Sequence, residues 1–201
     1  MGFDWIAKYY DPLAMLVFGK SLRMAQTCFL DRVPPASKVL VLGGGTGWWL
    51  NEFLEHKPTS KIVYIDESSE MIRLAKKSTN NDSRIVFVQG TQDSIPRQTE
   101  FDVVILFCFL DIFSDEQLPE LLGRVRGTMN SNGLWLVADF IKKGWWHSLL
   151  LVIMYRFFKR VTGLRNQKLP DWQKALQQVP LRIIDERSFF GQFIKSCSYQ
   201  Q

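Results

Sequence analysis

Cysteine is scarce: the chain of 201 residues has three, Cys28, Cys108 and Cys197, and no two lie close together. Such spacing argues against a disulfide framework or a zinc site and fits a reducing compartment. Histidine is rarer still, with only His56 and His147. Long apolar runs are also missing. The strongest one, from Trp145 to Tyr155, is interrupted by His147 and closed by Arg156, well short of the roughly 20 residues that a spanning helix needs. The opening Met1-Gly2-Phe3-Asp4 lacks the basic-then-apolar layout of a secretion signal, and Ile6 stands where myristoylation wants Ser or Thr. These features lead us to expect a cytoplasmic protein.

What is present has a globular balance, with 46% hydrophobic and 22% charged residues. The length suits one domain with a proper core. No internal repeat or low-complexity tract is evident. The net charge of +5 is unevenly spread: residues 142–182 hold nine Lys/Arg against the single acid Asp171, a net +8, which leaves −3 for the rest. A basic excess confined to one stretch argues against a nucleic-acid partner and asks for a local explanation.

Along the chain, a helical N-terminal stretch ends at Val33-Pro34-Pro35, and β-type runs then alternate with amphipathic ones. Strands are expected over 38–42, 61–65, 84–89, 101–107 and 134–139, the last after the turn Asn130-Ser131-Asn132-Gly133. Helices are expected over 47–56, 69–78 and 115–129. Val39-Leu40-Val41-Leu42, Val103-Val104-Ile105-Leu106 and Leu134-Trp135-Leu136-Val137 are nearly unbroken apolar runs. Strands covered by helices on both faces read this way, so an α/β fold with a doubly wound parallel sheet follows. Two last strand-like runs, 181–188 and 192–198, are separated only by Phe189-Phe190-Gly191. No crossover helix fits there, so they must form an antiparallel hairpin. We divide the chain into an N-terminal helical cap, 1–35, and a main domain, 36–201, with a helical insertion at 142–168.

The first strand ends in Gly43-Gly44-Gly45-Thr46-Gly47 and passes straight into a helix. Glycines there allow a tight turn and close approach of a ligand to the backbone. The dinucleotide fingerprint would need a glycine where Trp48 stands, and the phosphate-loop Gly-Lys-Ser/Thr is absent. The second strand ends in Ile65-Asp66, and a carboxylate at that tip lies beside the loop and can accept both hydroxyls of a ribose. Asp66 could instead cap the next helix, but Ser68 or Ser69 can fill that place.

These stretches resemble the class I S-adenosylmethionine-dependent methyltransferases. Residues 39–47 look like the family's first motif, and Ile62-Val63-Tyr64-Ile65-Asp66-Glu67-Ser68-Ser69-Glu70-Met71 like its second strand and helix start. Val86-Phe87-Val88-Gln89-Gly90-Thr91-Gln92-Asp93-Ser94-Ile95-Pro96 resembles the loop over the adenine, and Phe101-Asp102-Val103-Val104 the fourth strand. The likeness covers about residues 36–199, and its details look closest to small methyltransferases acting on quinones or lipids. It implies a Rossmann-like seven-stranded sheet of order 3-2-1-4-5-7-6 with strand 7 antiparallel, and S-adenosylmethionine as cofactor. By carry-over, Gly43, Gly44, Gly45, Gly47, Asp66, Glu67, Met71, Thr91, Gln92 and Asp93 would hold that cofactor, with the backbone around Leu106 and Phe107 at its amino-acid end. Two positions depart from the pattern. Val41 stands where the family usually has an acid that orders the methionine end. Thr91 stands where an Asp commonly meets the adenine amino group, so Gln92 or Asp93 would substitute.

Methyl transfer is an in-line displacement at an activated carbon, so positioning and exclusion of water supply most of the catalysis. Neither a metal nor a triad is needed. Candidates for contacting or deprotonating the acceptor are Asp111, after the fourth strand; Tyr10, in an N-terminal Tyr9-Tyr10-Asp11 resembling an element that closes over cofactor in quinone methyltransferases; and His147. Each has a plain alternative: a helix cap for Asp111, aromatic packing for Tyr10, a buried structural imidazole for His147. Asp139, at the fifth strand's end, reads as a polar loop residue or a base, and His56 as solvated surface. Residues 142–168 combine Trp145, Trp146 and a run of aliphatics with Lys159-Arg160. They form a core helix with a basic end, or a lid or membrane-surface helix for an apolar acceptor. The expected activity is methyl transfer to a small apolar acceptor, with peripheral membrane contact. The alternatives are a non-catalytic cofactor-binding or membrane-associated partner protein and an NAD-dependent oxidoreductase, the latter disfavoured by Trp48 and the terminal hairpin.

Overall fold

The computed structural model describes residues 4, 6–96, 99–162 and 168–201. Part of the expected insertion, 163–167, and part of the expected cap, 1–3 and 5, lie outside the described residues. The seven strands are β1 (Lys38–Leu42), β2 (Lys61–Asp66), β3 (Ile85–Gln89), β4 (Phe101–Phe107), β5 (Met129–Phe140), β6 (Arg182–Phe189) and β7 (Ile194–Gln200). They form one sheet in the order β3-β2-β1-β4-β5-β7-β6. The first five pair in parallel, whereas β7 runs antiparallel to both β5 and β6. This is the order and the reversed last strand that the family resemblance implies.

The apolar runs work as expected of central strands. Alternate residues of β1, β4 and β5 enter two separate cores: Leu40, Val104, Trp135 and Val137 pack on one face, Val39, Val41, Val103, Ile105 and Leu136 on the other. Helices α3 (Leu50–His56) and α4 (Ser69–Ser78) cover the second face, while α5 (Leu118–Arg126) and α7 (Trp172–Gln177) cover the first. The edge strand β6 is exposed along most of its length and carries Arg182, Asp185, Glu186 and Arg187, a charge pattern that discourages pairing with another chain. Helices α1 (Ala7–Phe18), α2 (Ser21–Thr27) and α6 (Trp145–Thr162) gather over the carboxyl end of the sheet. Phe18, Leu22, Leu151 and Phe193 form a third small core there.

Three boundaries differ from expectation. The segment Asn130-Ser131-Asn132-Gly133 is not a free turn but belongs to β5, because Met129 already pairs with Phe101 and a register shift follows. Pairing to a neighbour overrides local turn preference. That early start shortens α5, which ends at Arg126. Helix α3 begins only at Leu50, since the glycine turn extends further than its sequence pattern suggests.

Candidate functional site

The glycine turn after β1 is shaped from beneath. At Gly44 a Cβ would fall 2.1 Å from the Tyr64 ring, so the Tyr64 side chain leaves room only for glycine. Its hydroxyl donates to the Gly45 carbonyl oxygen at 3.0 Å. At Gly45 the φ is +65° and a Cβ would meet nothing within 4 Å. That open space is a cavity of about 150 Å³. Of the residues expected to hold a nucleotide, Gly43, Gly44, Gly45, Asp66, Glu67, Met71, Thr91, Gln92 and Phe107 line it.

Asp66 does more than face the cavity. Gly45 N donates to its Oδ2 at 2.8 Å and Ser68 N to its Oδ1 at 2.9 Å, so the carboxylate ties the loop to the start of α4. Ser68 itself caps α4, accepting from Met71 N at 3.1 Å. Burial raises the Asp66 carboxyl, and the two amides pull it back. Each oxygen retains a lone pair for a further donor, such as a ribose hydroxyl.

Three expected cofactor residues put no side chain on the cavity, each for a physical reason. Gly47 does not line this cavity; a Cβ there would sit 2.6 Å from Leu50 Cδ1, so its work is the turn into α3. The Leu106 side chain is buried in the core below the sheet, as strand alternation requires when Phe107 faces the other side. Asp93 turns outward to pair with Arg124, leaving Gln92 to face the cavity.

The Tyr9-Tyr10-Asp11 element lies at the roof of this cavity, with Tyr10 and Asp11 lining it, whereas no sequence motif marked the part that α2 supplies. Asp11 on α1 accepts from Thr46 Oγ1 at 2.8 Å, fastening the N-terminal helix to the glycine loop. Gln26 on α2 accepts from Trp48 Nε1 at 3.0 Å, and the Arg23 guanidinium lies over the Trp48 ring, 4.7 Å from its centroid. Arg23 is the one Lys or Arg among the described residues lining the cavity. No local signal marks it, because α2 reaches the loop only through the tertiary fold.

A second cavity of about 210 Å³ lies between α1 and α6. Tyr10, Ala14, Cys108 and Ile112 line both cavities, so the two meet across that wall. Apart from Asp111 and Tyr155 its remaining walls are apolar, with Leu13 and Val17 from α1, Phe140 from β5, and Leu150, Met154 and Phe157 from α6. Cys108 holds a left-handed backbone (φ +51°) at the end of β4, a conformation that costs non-glycine residues on the order of 1–3 kcal/mol. Its amide is held by the Ala138 carbonyl at 2.7 Å, which fixes the thiol at the junction. Burial pushes that thiol well up, so it is neutral.

Asp111 lines the second cavity, so it is not merely a cap. Behind it, Asp139 is fully buried. Its Oδ2 accepts from Phe109 N, Leu110 N and Asp111 N at 3.2, 2.8 and 3.2 Å, and Phe140 N donates to its Oδ1 at 2.7 Å. Asp139 therefore shapes the loop that presents Asp111. Burial raises Asp111 to about 7. Burial and the neighbouring Asp111 push Asp139 well up against the pull of its amides. The two titrate as a pair.

His147 is corrected outright: it lines neither cavity. Its Nδ1 accepts from Lys143 N at 2.9 Å and Gly144 N at 3.2 Å, capping the start of α6. Since Nδ1 accepts, Nε2 carries the proton and donates to Gly191 O at 3.2 Å. The imidazole is committed to joining α6 to the terminal hairpin. Among the described residues no group of His, Cys, Asp and Glu is placed to hold a metal.

Comparison with known proteins agrees with this layout. Residues 39–133 match a methyltransferase domain family. Over 109 residues the chain is 28% identical to a malonyl-acyl-carrier-protein O-methyltransferase of Halalkalibacterium halodurans, covering 51% of this chain and 38% of that protein. Over 120 residues it is 31% identical to a polyamine aminopropyltransferase of Pyrobaculum aerophilum, covering 50% of this chain and 40% of that protein. The chain thus spans less than half the length of these two relatives. Among solved structures, a Burkholderia thailandensis 1,6-didemethyltoxoflavin-N1-methyltransferase with bound S-adenosylhomocysteine superposes with a TM-score of 0.70. That match covers 98% of this chain and 85% of the other at 15% identity, a likeness of fold. The sheet thus has the strand order of the class I S-adenosylmethionine-dependent methyltransferase fold, and the matched segment, just under half of the chain, is similar to a methyltransferase domain.

Proposed function

We propose that the chain binds S-adenosylmethionine in the glycine-loop cavity and transfers its methyl group to a small apolar acceptor held between α1 and α6. The observation that carries this reading is the shared wall of Tyr10, Ala14, Cys108 and Ile112, across which two bound molecules would touch. The cofactor supplies a methyl group already activated on a sulfonium. The protein supplies the rest by position and by exclusion of water. Asp66 and Glu67 take the ribose, Thr91 and Gln92 the adenine edge, and Met71 packs beside them. Val41, buried under the loop, offers no charge to the methionine end, and Arg23 from the roof offers a partner for its carboxylate. Tyr10 orients at the junction, and Asp111 accepts the proton that the acceptor loses.

The outer faces of α1 and α6 supply the peripheral membrane contact. Trp145 on α6 and Leu16 on α1 are each 82% exposed, and Lys142, Lys143, Lys159 and Arg160 are exposed at the two ends of α6. Among the described residues no helix is long and apolar enough to cross a membrane, so the contact would be at the surface.

The likeness to a polyamine aminopropyltransferase favours a second reading, aminopropyl transfer to a polyamine. The second cavity opposes it. Asp111 is the one acid among its described lining residues, and a buried chain of ammonium groups needs several carboxylates.

Isothermal titration with S-adenosylmethionine and with NAD tests the cofactor. S-adenosylmethionine should bind and NAD should not. Asp66→Ala should weaken that binding by about 2–3 kcal/mol through loss of a charge-assisted ribose contact. Asp66→Asn, which keeps an acceptor oxygen for one of the two backbone amides, should fold and still bind weakly. Unchanged affinity in both folded variants would remove the site assignment.

A further inference from the structure

The α1/α6 cavity is polar only at the end where it meets the cofactor cavity. Tyr155 of α6 lines it, and its hydroxyl is buried with no hydrogen-bond partner among the described residues. Native folds rarely leave a buried hydroxyl orphaned, so such a group calls for a missing partner. Asp111 lines the same cavity, and the charges of Asp111 and Asp139 both act on the Tyr155 hydroxyl. No Lys, Arg or His is among the described lining residues.

We propose that this end of the cavity binds the acidic hydroxyl, phenolic or enolic, of an otherwise apolar acceptor, with the Tyr155 hydroxyl donating to its oxygen and Asp111 taking its proton. This assignment of chemistry rests on the methyl-transfer reading above, whereas the binding geometry does not.

Elimination supports this class. A carboxylate or phosphate head would be buried beside an aspartate with no cation to meet it. An ammonium head could pair with Asp111 but has no lone pair to accept from Tyr155, whose hydroxyl would stay orphaned. A hydroxyl can donate to one group and accept from another at the same time. Among hydroxyls, acidity decides. Burial places Asp111 at about 7, near enough to a phenol at about 10 for general-base transfer and far from an aliphatic alcohol. The other titratable groups facing Asp111 are Tyr10 from α1, Cys108 from the end of β4, Asp139 from β5 and Tyr155 from α6. Burial pushes every one of them up, so none except the aspartate pair supplies a charge. In the step itself the O–H bond breaks and its proton goes to the carboxylate. The oxygen forms the new O–CH3 bond as the S–CH3 bond breaks, and that electron pair stays on sulfur.

The test uses the full chain and three small probes with one hexylphenyl body: 4-hexylphenol, 4-hexylanisole and 4-hexylbenzylamine. Calorimetry should find the phenol bound at least tenfold more tightly than the anisole, with the amine no better than the anisole. Tyr155→Phe should weaken the phenol about tenfold, the worth of one buried hydrogen bond. The same variant should leave the anisole and S-adenosylmethionine affinities unchanged. Release of S-adenosylhomocysteine should follow phenol addition. Equal affinity for phenol and anisole, tighter binding of the amine, or an unaltered Tyr155→Phe variant would each overturn the proposal. If the phenol binds as expected but S-adenosylmethionine does not bind at all, the methyl-transfer reading falls and the hydroxyl site stands.

Discussion

The two cavities that meet at Cys108 are built in opposite ways. The glycine-loop cavity draws most of its floor from residues 41–49, 65–71 and 90–92, short stretches at strand tips. It is held by hydrogen bonds between side chains and loop backbone: Gly45 N and Ser68 N donate to the Asp66 carboxylate, and the Tyr64 hydroxyl donates to Gly45 O. The α1/α6 cavity joins Tyr10 to Phe158 across most of the chain and relies on side-chain packing, with Asp111 and Tyr155 as sparse polar points. The matched methyltransferase family ends at residue 133, so it covers the first cavity's floor and none of α6. A site that must recognise one fixed molecule can be written in local backbone geometry. A site that sets the acceptor is left to whichever helices cover it.

This contrast can be broken at Asp111. Asp111→Asn should lower methyl transfer to 4-hexylphenol by roughly 10²–10⁴-fold, the usual worth of a general base, with S-adenosylmethionine affinity unchanged. In the wild type the rate should rise with pH through about 7, because only the deprotonated carboxyl accepts a proton; the variant should lose that limb. Stability supplies a second readout. With its folded value raised to about 7 from an ordinary carboxyl near 3.9, Asp111 binds an extra proton in the folded state between those values, so it lowers stability as pH rises through that window. Melting curves at pH 5 and pH 8 should therefore differ less for the Asn variant. A loss of cofactor binding instead would mean that the two cavities are not separable.

A smaller effect is expected on the loop side. Arg23→Ala should weaken S-adenosylmethionine roughly tenfold by loss of a charge-assisted contact. It should leave 5′-methylthioadenosine, which lacks the amino-acid end, unaffected. Equal losses for both ligands would place Arg23 at Trp48 as a packing residue only.

The smallest effect concerns the outer face of α6. Trp145→Ala should reduce binding to anionic vesicles several-fold, and salt should weaken what remains, since screening acts over about 10 Å at 0.1 M. Trp146 is the internal control. Its ring packs on His147, Phe190 and Phe193, so Trp146→Ala should cost about 3–5 kcal/mol of stability without changing vesicle binding. No vesicle binding by the wild type at low salt would leave α6 as a wall of the cavity alone.

Much of the loop side was legible because its determinants are local. The glycine run, the Asp66 strand tip and the apolar strands each follow from spacing of 2 or from backbone freedom, and the family resemblance supplied the strand order. What spacing could not give was direction: strand alternation turns the Leu106 side chain inward and leaves only its backbone near the loop, and Asp93 follows an arginine, Arg124, brought near by the fold.

The acceptor side was legible only in outline. Residues 142–168 read as apolar and basic, but pattern could not say that Trp145 faces out, that Trp146 faces in, or that His147 caps the helix. Such choices depend on what α6 packs against, and those partners, Phe190, Gly191 and Phe193, lie more than forty residues away. Sequence alone therefore determined that a nucleotide-type loop and a doubly wound sheet would form, since backbone geometry and strand periodicity are local properties. Only tertiary structure set Tyr155, Asp111 and Cys108 around one junction, because burial, an orphaned hydroxyl and a raised carboxyl are properties of neighbours that the chain assembles from afar.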